Sequence, residues 1–213
     1  MKTDDLIKLL ATQPAAERQA PAGAALARAV GLGLLGALLI MLAGYGTNPA
    51  LPQLLGTPMF WFKLGMPVVV AFSAARLAAR LARPGMGPGR AGWGIALAVA
   101  LVWIAAVAQW QATPAPERAA LLWGQTWLSC PFSIGLIGLP VLVGSLRALR
   151  ELAPTRLRLA GAAAGALAGG AGAAVYALHC PEFGAPFLAV WYVLGMALPV
   201  AAGAWLGPRV LRW

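Results

Sequence analysis

Charged residues are scarce in this sequence. Only 10% of its 213 residues are Asp, Glu, Lys or Arg, whereas a soluble domain of this size carries about 25%. Hydrophobic residues make up 61% of the chain, and the mean hydropathy is +0.77. A chain with so few polar groups cannot cover a folded surface in water. The composition therefore excludes an ordinary soluble domain and predicts an integral membrane protein.

Residues that build catalytic and metal centres are equally rare. The sequence has six acidic residues, two cysteines and one histidine, too few for a structural zinc cluster or a disulfide-rich scaffold. It contains no HExxH, P-loop or GxSxG motif, and no carboxylate lies in the middle of an apolar stretch. We therefore predict that the protein is not an enzyme and holds no resident cofactor. The carboxylate relay of a proton-coupled transporter is missing as well.

Long charge-free stretches are the most abundant feature of the chain. Each exceeds the roughly 20 helical residues that cross a bilayer core of about 30 Å. The pattern predicts an all-α integral membrane fold with six transmembrane helices, near residues 26–45, 59–77, 93–110, 127–146, 159–178 and 187–206. The second span is the weakest, because Lys63 and Arg76 lie inside it. We expect both long side chains to extend to the membrane interface.

The positive charges predict the orientation of these helices. Fourteen of the sixteen Lys and Arg residues fall in the N-terminal tail, in the second-to-third and fourth-to-fifth connections, and at the C-terminus. Only Lys63 and Arg118 fall on the other side, so the positive-inside rule predicts that both termini are cytoplasmic. The predicted parts are a cytoplasmic tail (1–25), a six-helix domain in the lipid bilayer (26–207) and a cytoplasmic end (208–213). Because the charge reports orientation, we expect no direct contact with nucleic acid.

Two patterns bear on how the helices pack. Pro67, Pro140 and Pro199 occupy similar positions in the even-numbered spans, each followed by an arginine. This similarity indicates either three helical hairpins related as parallel repeats or chance in an apolar chain of low complexity. In the fifth span, Gly161 and Gly165 begin a series of glycines at every fourth residue. Such a stripe of small residues is typical of close helix packing.

Two cysteines form the main candidate site. Cys130 lies near the start of the fourth span and Cys180 in the connection between the fifth and sixth, and each precedes a proline. A thiol just ahead of a helix N-terminus lies in the positive field of the helix dipole, which favours the thiolate. The only histidine, His179, adjoins Cys180, and Glu182 follows it closely. The predicted topology brings all four residues to the periplasmic side.

These four sensing candidates allow three interpretations. The cysteines are buried structural residues, or they form a disulfide in an oxidising compartment, or they act as a switch that toggles by oxidation or captures a soft metal ion. The candidate metal ligands are Cys130, Cys180 and His179. Contact between the two thiols is a hypothesis at this point.

The N-terminal tail is a second candidate site. It predicts a short helix with Asp4 and Asp5 in its first turn and an apolar face behind them. Such a helix either lies on a membrane surface or docks in the groove of another protein. The two acids disfavour anionic lipid and favour a protein partner. The candidate partner-binding residues are Asp4, Asp5, Leu6, Ile7, Leu9 and Leu10.

The combined features resemble a known family. The motifs that carry the resemblance are Met1-Lys-Thr-Asp-Asp-Leu-Ile, Trp127-Leu-Ser-Cys130, His179-Cys180-Pro-Glu182, and Leu211-Arg212-Trp213 after a span with Trp191-Tyr192. In this order, around six spans, they resemble the NrsF family of bacterial inner-membrane anti-sigma factors. The resemblance implies that the protein holds an extracytoplasmic-function sigma factor at the cytoplasmic face until stress releases it. It also implies that Cys130 and Cys180 are needed for that response and that the tail docks the sigma factor.

Two other functions remain open from the sequence alone. A small six-helix transporter would bind its substrate between the repeated hairpins. A membrane thiol oxidoreductase would use the two cysteines, but the sequence lacks the C-x-x-C pair that such enzymes employ.

Overall fold

The computed structural model describes residues 3–5 and 22–212, and within these ranges the regular structure is helical throughout. Six helices are long and apolar enough to cross a membrane, which confirms the predicted number. They are α1 (Ala22–Gly44), α2 (Pro58–Leu81), α3 (Trp93–Ala112), α4 (Cys130–Glu151), α5 (Leu157–Tyr176) and α6 (Ala185–Val210). Short helices occupy the connections at Leu51–Leu54, Ala115–Glu117 and Arg118–Trp123.

The helix ends differ from the prediction where charges or prolines lie near them. α2 continues past Arg76 to Leu81, and α4 continues to Glu151, because arginine is favourable in the last turn of a helix. α4 begins at Cys130, because Pro131 suits the first turn, where its missing N–H leaves no hydrogen bond unmade. α6 begins at Ala185, and its residues Leu188–Tyr192 form a π-helical turn.

α5 is the central helix and packs along α2, α4 and α6. Its predicted glycine stripe faces the α6 backbone, and a Cβ on Gly169 would lie 2.9 Å from the Met196 Cα. On other faces, Gly170 approaches the α2 backbone and Gly172 approaches α4. Because each contact joins backbone to backbone, α5 holds three helices at fixed distances.

The predicted hairpins are correct for only one pair of helices. α5 and α6 pack along most of their length, but α1 packs mainly on α4 and barely touches α2. α3 packs on α2 and on the start of α6 rather than extensively on α4. The physical reason is the distribution of small residues, since Gly33 of α1 fits against the α4 backbone at Val141. Close approach at glycines therefore outweighs the sequence similarity of the even-numbered helices.

The bundle has two ends of different chemistry. At the end where α2, α4 and α6 begin, here called the cysteine end, lie both cysteines, Lys63 and Arg118. The opposite end, here called the arginine end, carries the other eleven basic residues of the described ranges, all arginines. The connections at this end contact each other, since the Gly85 N–H donates to the Thr155 hydroxyl at 3.3 Å. The charge segregation predicted from the sequence is therefore present in the fold.

Candidate functional site

The fold brings the two cysteines together at the cysteine end. Cys130 is the first residue of α4, and its backbone N–H donates to the Thr126 carbonyl at 2.8 Å. Cys180 follows the C-terminus of α5, where its N–H donates to the Tyr176 carbonyl at 3.0 Å. Both side chains are free thiols with 0% exposure, and they belong to one cluster of buried side chains in which the Cys130 thiol lies next to Cys180. Two residues separated by 50 positions in the chain thus share one buried site.

Lys63 of α2 is the third member of this site, and sequence reasoning misjudged it. Its side chain is fully buried rather than extended to an interface. The Nζ atom donates to the Cys180 carbonyl at 2.6 Å and lies 4.4 Å from the centroid of the Phe183 ring. A single lysine in an apolar span, with no acidic residue of that span to pair with, was the available signal. Such a residue marks a functional site more often than a snorkelling side chain.

Tyr192 completes the site from α6. It lies in the π-helical turn, is fully buried, and has its ring 5.6 Å from the Lys63 Nζ atom. Its hydroxyl is next to Cys180 but makes no hydrogen bond of good geometry. π turns occur frequently at functional sites, where they redirect a side chain. We call Lys63, Cys130, Cys180 and Tyr192 the thiol cluster.

The surroundings of Cys180 favour its thiolate. The neighbouring Cys130 thiol, as a hydrogen-bond donor, lowers the pKa of Cys180, as do the positive charge of Lys63 and the backbone N–H of Glu182. Burial opposes these effects but does not cancel them. The predicted cause, a helix N-terminus, is wrong for Cys180, because this residue closes the last turn of α5. Hydrogen-bond donors and the neighbouring Lys63 cation, rather than a helix dipole, stabilise the Cys180 thiolate.

Glu182 ties together the two segments that carry the cysteines. Its Oε1 atom accepts hydrogen bonds from the backbone N–H groups of Gln125 at 2.6 Å and Thr126 at 3.1 Å. Gly124 allows this approach, since its φ is +54° and a Cβ there would lie 2.6 Å from the carboxylate. Glu182 therefore holds the loop before Cys130 against the loop after Cys180.

The contacts of the His179 side chain lie outside the thiol cluster. Its Nδ1 lies 3.1 Å from the Gly46 carbonyl, which only accepts, so Nδ1 carries the proton. The ring packs against Tyr45 and Tyr176, with centroid distances of 5.4 and 5.7 Å. Within the described ranges, no group of three His, Cys, Asp or Glu side chains is arranged to hold a metal ion.

The tail candidates lie largely outside the described residues. Asp4 and Asp5 are helical and exposed. Leu6, Ile7, Leu9 and Leu10 fall outside the described ranges, and their role in partner binding stays a prediction.

Comparison with known proteins gives consistent matches over the whole chain. The family model "NrsF: Negative regulator of sigma F" matches residues 10–213. The "Probable anti-sigma-F factor NrsF" of Azospira oryzae is 45% identical over 214 residues. The "Anti-sigma-F factor NrsF" of Caulobacter vibrioides is 42% identical over 222 residues, and both alignments cover 100% of each chain. No solved structure matches this chain.

The contacts of Cys180 lead to a prediction about its reactivity. In a Cys130→Ser background, which keeps a hydroxyl donor, we expect Cys180 to react with iodoacetamide through a thiolate of lowered pKa. Lys63→Met removes the neighbouring charge, so the midpoint of the pH–rate profile should move upward. A rise of one pKa unit corresponds to about tenfold less thiolate at a pH below both midpoints.

The control for this experiment is Arg118→Met, which removes a positive charge at the same end of the bundle but outside the thiol cluster. Its midpoint should equal that of the Cys130→Ser parent. The midpoint, unlike the absolute rate, does not depend on how easily the reagent reaches a buried sulfur. An unchanged midpoint in Lys63→Met would show that Lys63 does not act on the Cys180 thiol.

Proposed function

This chain belongs to the NrsF family of negative regulators of sigma F, and from that membership we propose that it is an anti-sigma factor of the bacterial inner membrane. In the resting state it sequesters a sigma factor of the extracytoplasmic-function class at the cytoplasmic face. Oxidative or heavy-metal stress acts on the thiol cluster and releases the sigma factor. The observation that carries this proposal is the contact of two free, buried thiols beside Lys63.

The proposed orientation puts the arginine end and both termini in the cytoplasm. The segregation of eleven arginines at one end supports it, because positively charged connections stay on the cytoplasmic side. The tail then reaches the sigma factor, and its apolar residues Leu6, Ile7, Leu9 and Leu10 dock in a groove of that partner. The thiol cluster faces the periplasm, where thiols are readily oxidised.

The proposed chemical step is disulfide formation by a hydroperoxide. The Cys180 thiolate attacks the peroxide O–O bond, which yields a sulfenic acid, and the leaving oxygen takes up a proton to become an alcohol or water. The Cys130 sulfur then attacks the Cys180 sulfur, and water leaves as the S–S bond forms. The two thiols lose two electrons and two protons, and the peroxide gains them. Since both sulfurs are buried, the reaction proceeds from a locally opened state of the α5–α6 connection.

Bond formation at the thiol cluster changes the packing of helices that reach the other end. A disulfide fixes the distance and the relative orientation of the two cysteines, so it ties the start of α4 to the end of α5. The glycine contacts of α5 join backbones directly, so no flexible side chain absorbs a change in that distance. The hydrogen bond from Lys63 to the Cys180 carbonyl extends the change to α2, whose far end carries Arg76 and Arg80.

A soft metal ion provides a second route to the same change. Two adjacent thiolates can bind such an ion without a third ligand, and the Nδ1 atom of His179 is occupied by the Gly46 carbonyl. A shift from 1:99 to 99:1 between the two packing states needs about 5.5 kcal/mol of differential free energy. The free energy that disulfide formation or metal binding by two thiolates supplies to one packing state is of that order.

The cysteines are tested through sigma-dependent transcription. In cells that carry Cys130→Ser or Cys180→Ser, we expect a hydroperoxide or a soft metal ion to induce the reporter less than twofold, because neither variant forms the disulfide or the dithiolate site. The control is Ser145→Ala, a buried position of α4 about four turns from Cys130. Its reporter should be induced as in the wild type. Wild-type induction in both cysteine variants would remove the thiols from the mechanism.

Orientation is tested by labelling with a membrane-impermeant maleimide. In a cysteine-free background, Ala119→Cys is exposed at the cysteine end and Thr155→Cys at the arginine end. We expect spheroplasts to label at position 119 without lysis and at position 155 only after lysis. The reverse pattern would contradict the proposed orientation.

The tail is tested by copurification of the sigma factor with the detergent-solubilised full chain. Leu9→Asp combined with Leu10→Asp should reduce recovery at least tenfold, because it places charges on the apolar face that enters the groove. Lys8→Gln, on the same segment, is the matched control and should retain the sigma factor. Equal recovery with the wild type, the double leucine variant and Lys8→Gln would exclude the tail as the docking element. If the wild type retains no sigma factor but transports a solute, the result would support the transporter alternative.

A further inference from the structure

An open slot separates α1 from α2 near the arginine end. It has a volume of about 470 Å³ and is lined by apolar residues of both helices and by Arg76. Gly23 and Gly31 form part of its wall, and a Cβ on either would have nothing within 4 Å. The slot exists because α1 packs its other face on α4, where Gly33 fits closely against Val141. We call this cavity the apolar slot.

A second cavity adjoins it where α2 meets α3. Its volume is about 640 Å³, and its lining includes four arginines and no carboxylate. The arginines are Arg76, Arg80, Arg83 and Arg90. The connection between α2 and α3 fixes one of them, since the Arg80 Nε–H donates to the Gly87 carbonyl at 2.8 Å. The Arg76 guanidinium lies 5.6 Å from the Phe72 ring centroid. We call this cavity the arginine pocket.

The two cavities are adjacent and share one wall. Phe72, Arg76 and Ala79 line both of them. The slot extends along α1 from Gly23 to Leu34, which corresponds to roughly 16 Å of helix. This length is about half of a bilayer core of ~30 Å, so it matches one leaflet. Together the cavities place a basic region beside an elongated apolar one.

We propose that the arginine pocket and the apolar slot form one binding site for an anionic phospholipid, with the phosphate in the pocket and an acyl chain in the slot. Guanidinium groups form paired hydrogen bonds with phosphate oxygens, and basic pockets between membrane helices bind anionic headgroups. The acyl chain fills the space that α1 and α2 leave between them. The site is distinct from the thiol cluster and does not depend on the anti-sigma role.

The slot favours a lipid over an acidic protein segment. Carboxylates of a partner protein would satisfy the arginines but would leave the apolar walls at Gly23 and Gly31 unfilled. A protein in the cytoplasm also cannot reach a groove between two lipid-facing helices, whereas an acyl chain already lies at that depth. A lipid is therefore the occupant that matches both halves of the cavity.

The test is native mass spectrometry of the full chain in detergent, titrated with dioleoylphosphatidylglycerol or dioleoylphosphatidylcholine. We expect the anionic lipid to bind at least tenfold more tightly than the zwitterionic one. Arg80→Gln with Arg83→Gln should weaken the anionic lipid at least tenfold. Arg156→Gln with Arg158→Gln removes two charges at the same end but outside both cavities, and should change binding less than twofold.

The slot has its own pair of variants. Gly31→Trp places an indole at the slot, where the Cβ meets nothing within 4 Å, and should weaken the binding of phosphatidylglycerol at least fivefold. Gly44→Trp lies on the same helix outside the slot, where a Cβ also meets nothing within 4 Å, and should bind like the wild type. Equal unfolding temperatures across the variants exclude loss of fold as the cause.

Several results would overturn the proposal. Equal loss in both arginine pairs would assign the binding to general surface charge, and an unaffected Gly31→Trp would remove the slot from the site. Binding that appears only after deletion of residues 1–20 would identify the tail as the occupant. Loss of sigma-factor binding in Arg80→Gln with Arg83→Gln, with lipid binding unchanged, would make the pocket a protein surface.

Discussion

The close approach of α5 to its neighbours is the constraint on which the rest of the structure depends. Glycines on three faces of this helix meet the backbones of α2, α4 and α6, so no side chain separates them. The C-terminus of α5 carries Cys180, and the same three helices supply Lys63, Cys130 and Tyr192. Glycine packing therefore assembles the thiol cluster. It also makes the bundle sensitive to small displacements at the thiol cluster, because backbone contacts cannot adjust by side-chain rotation.

The buried lysine gives this site its chemical character. A primary amine with no exposure needs compensation, which the Cys180 carbonyl at 2.6 Å and the rings of Phe183 and Tyr192 supply. In return, its charge favours the thiolate of the same cysteine whose carbonyl it binds. Glu182 is nearby but uses its carboxylate on the backbone of Gln125 and Thr126. Glu182 therefore holds the two loops together, whereas Lys63 favours the thiolate of Cys180.

The two ends of the bundle are suited to different partners. At the cysteine end the reactive groups are buried, which fits a sensor that reacts only after local opening. The arginine end is open, and one of its cavities is lined by four arginines. α2 runs through both ends, from Lys63 to Arg80, over roughly 26 Å of continuous helix. In the proposed anti-sigma function this helix is one physical connection between a periplasmic thiol and a cytoplasmic surface, beside α4, which carries Cys130 itself.

The sequence by itself determined the helical class, the number of long helices, the segregation of charge and the family, because these follow from composition, period and ordered motifs. It also marked Cys130 and Cys180 and the glycine stripe of α5. Only the tertiary structure decided that Lys63 is buried beside the two cysteines, that His179 contacts the Gly46 carbonyl, and that α1 packs on α4 instead of α2. These features depend on contacts between residues far apart in the chain. Hydropathy reports how apolar a helix is, but which face of it meets which neighbour is set by the fit of small residues against a backbone in three dimensions.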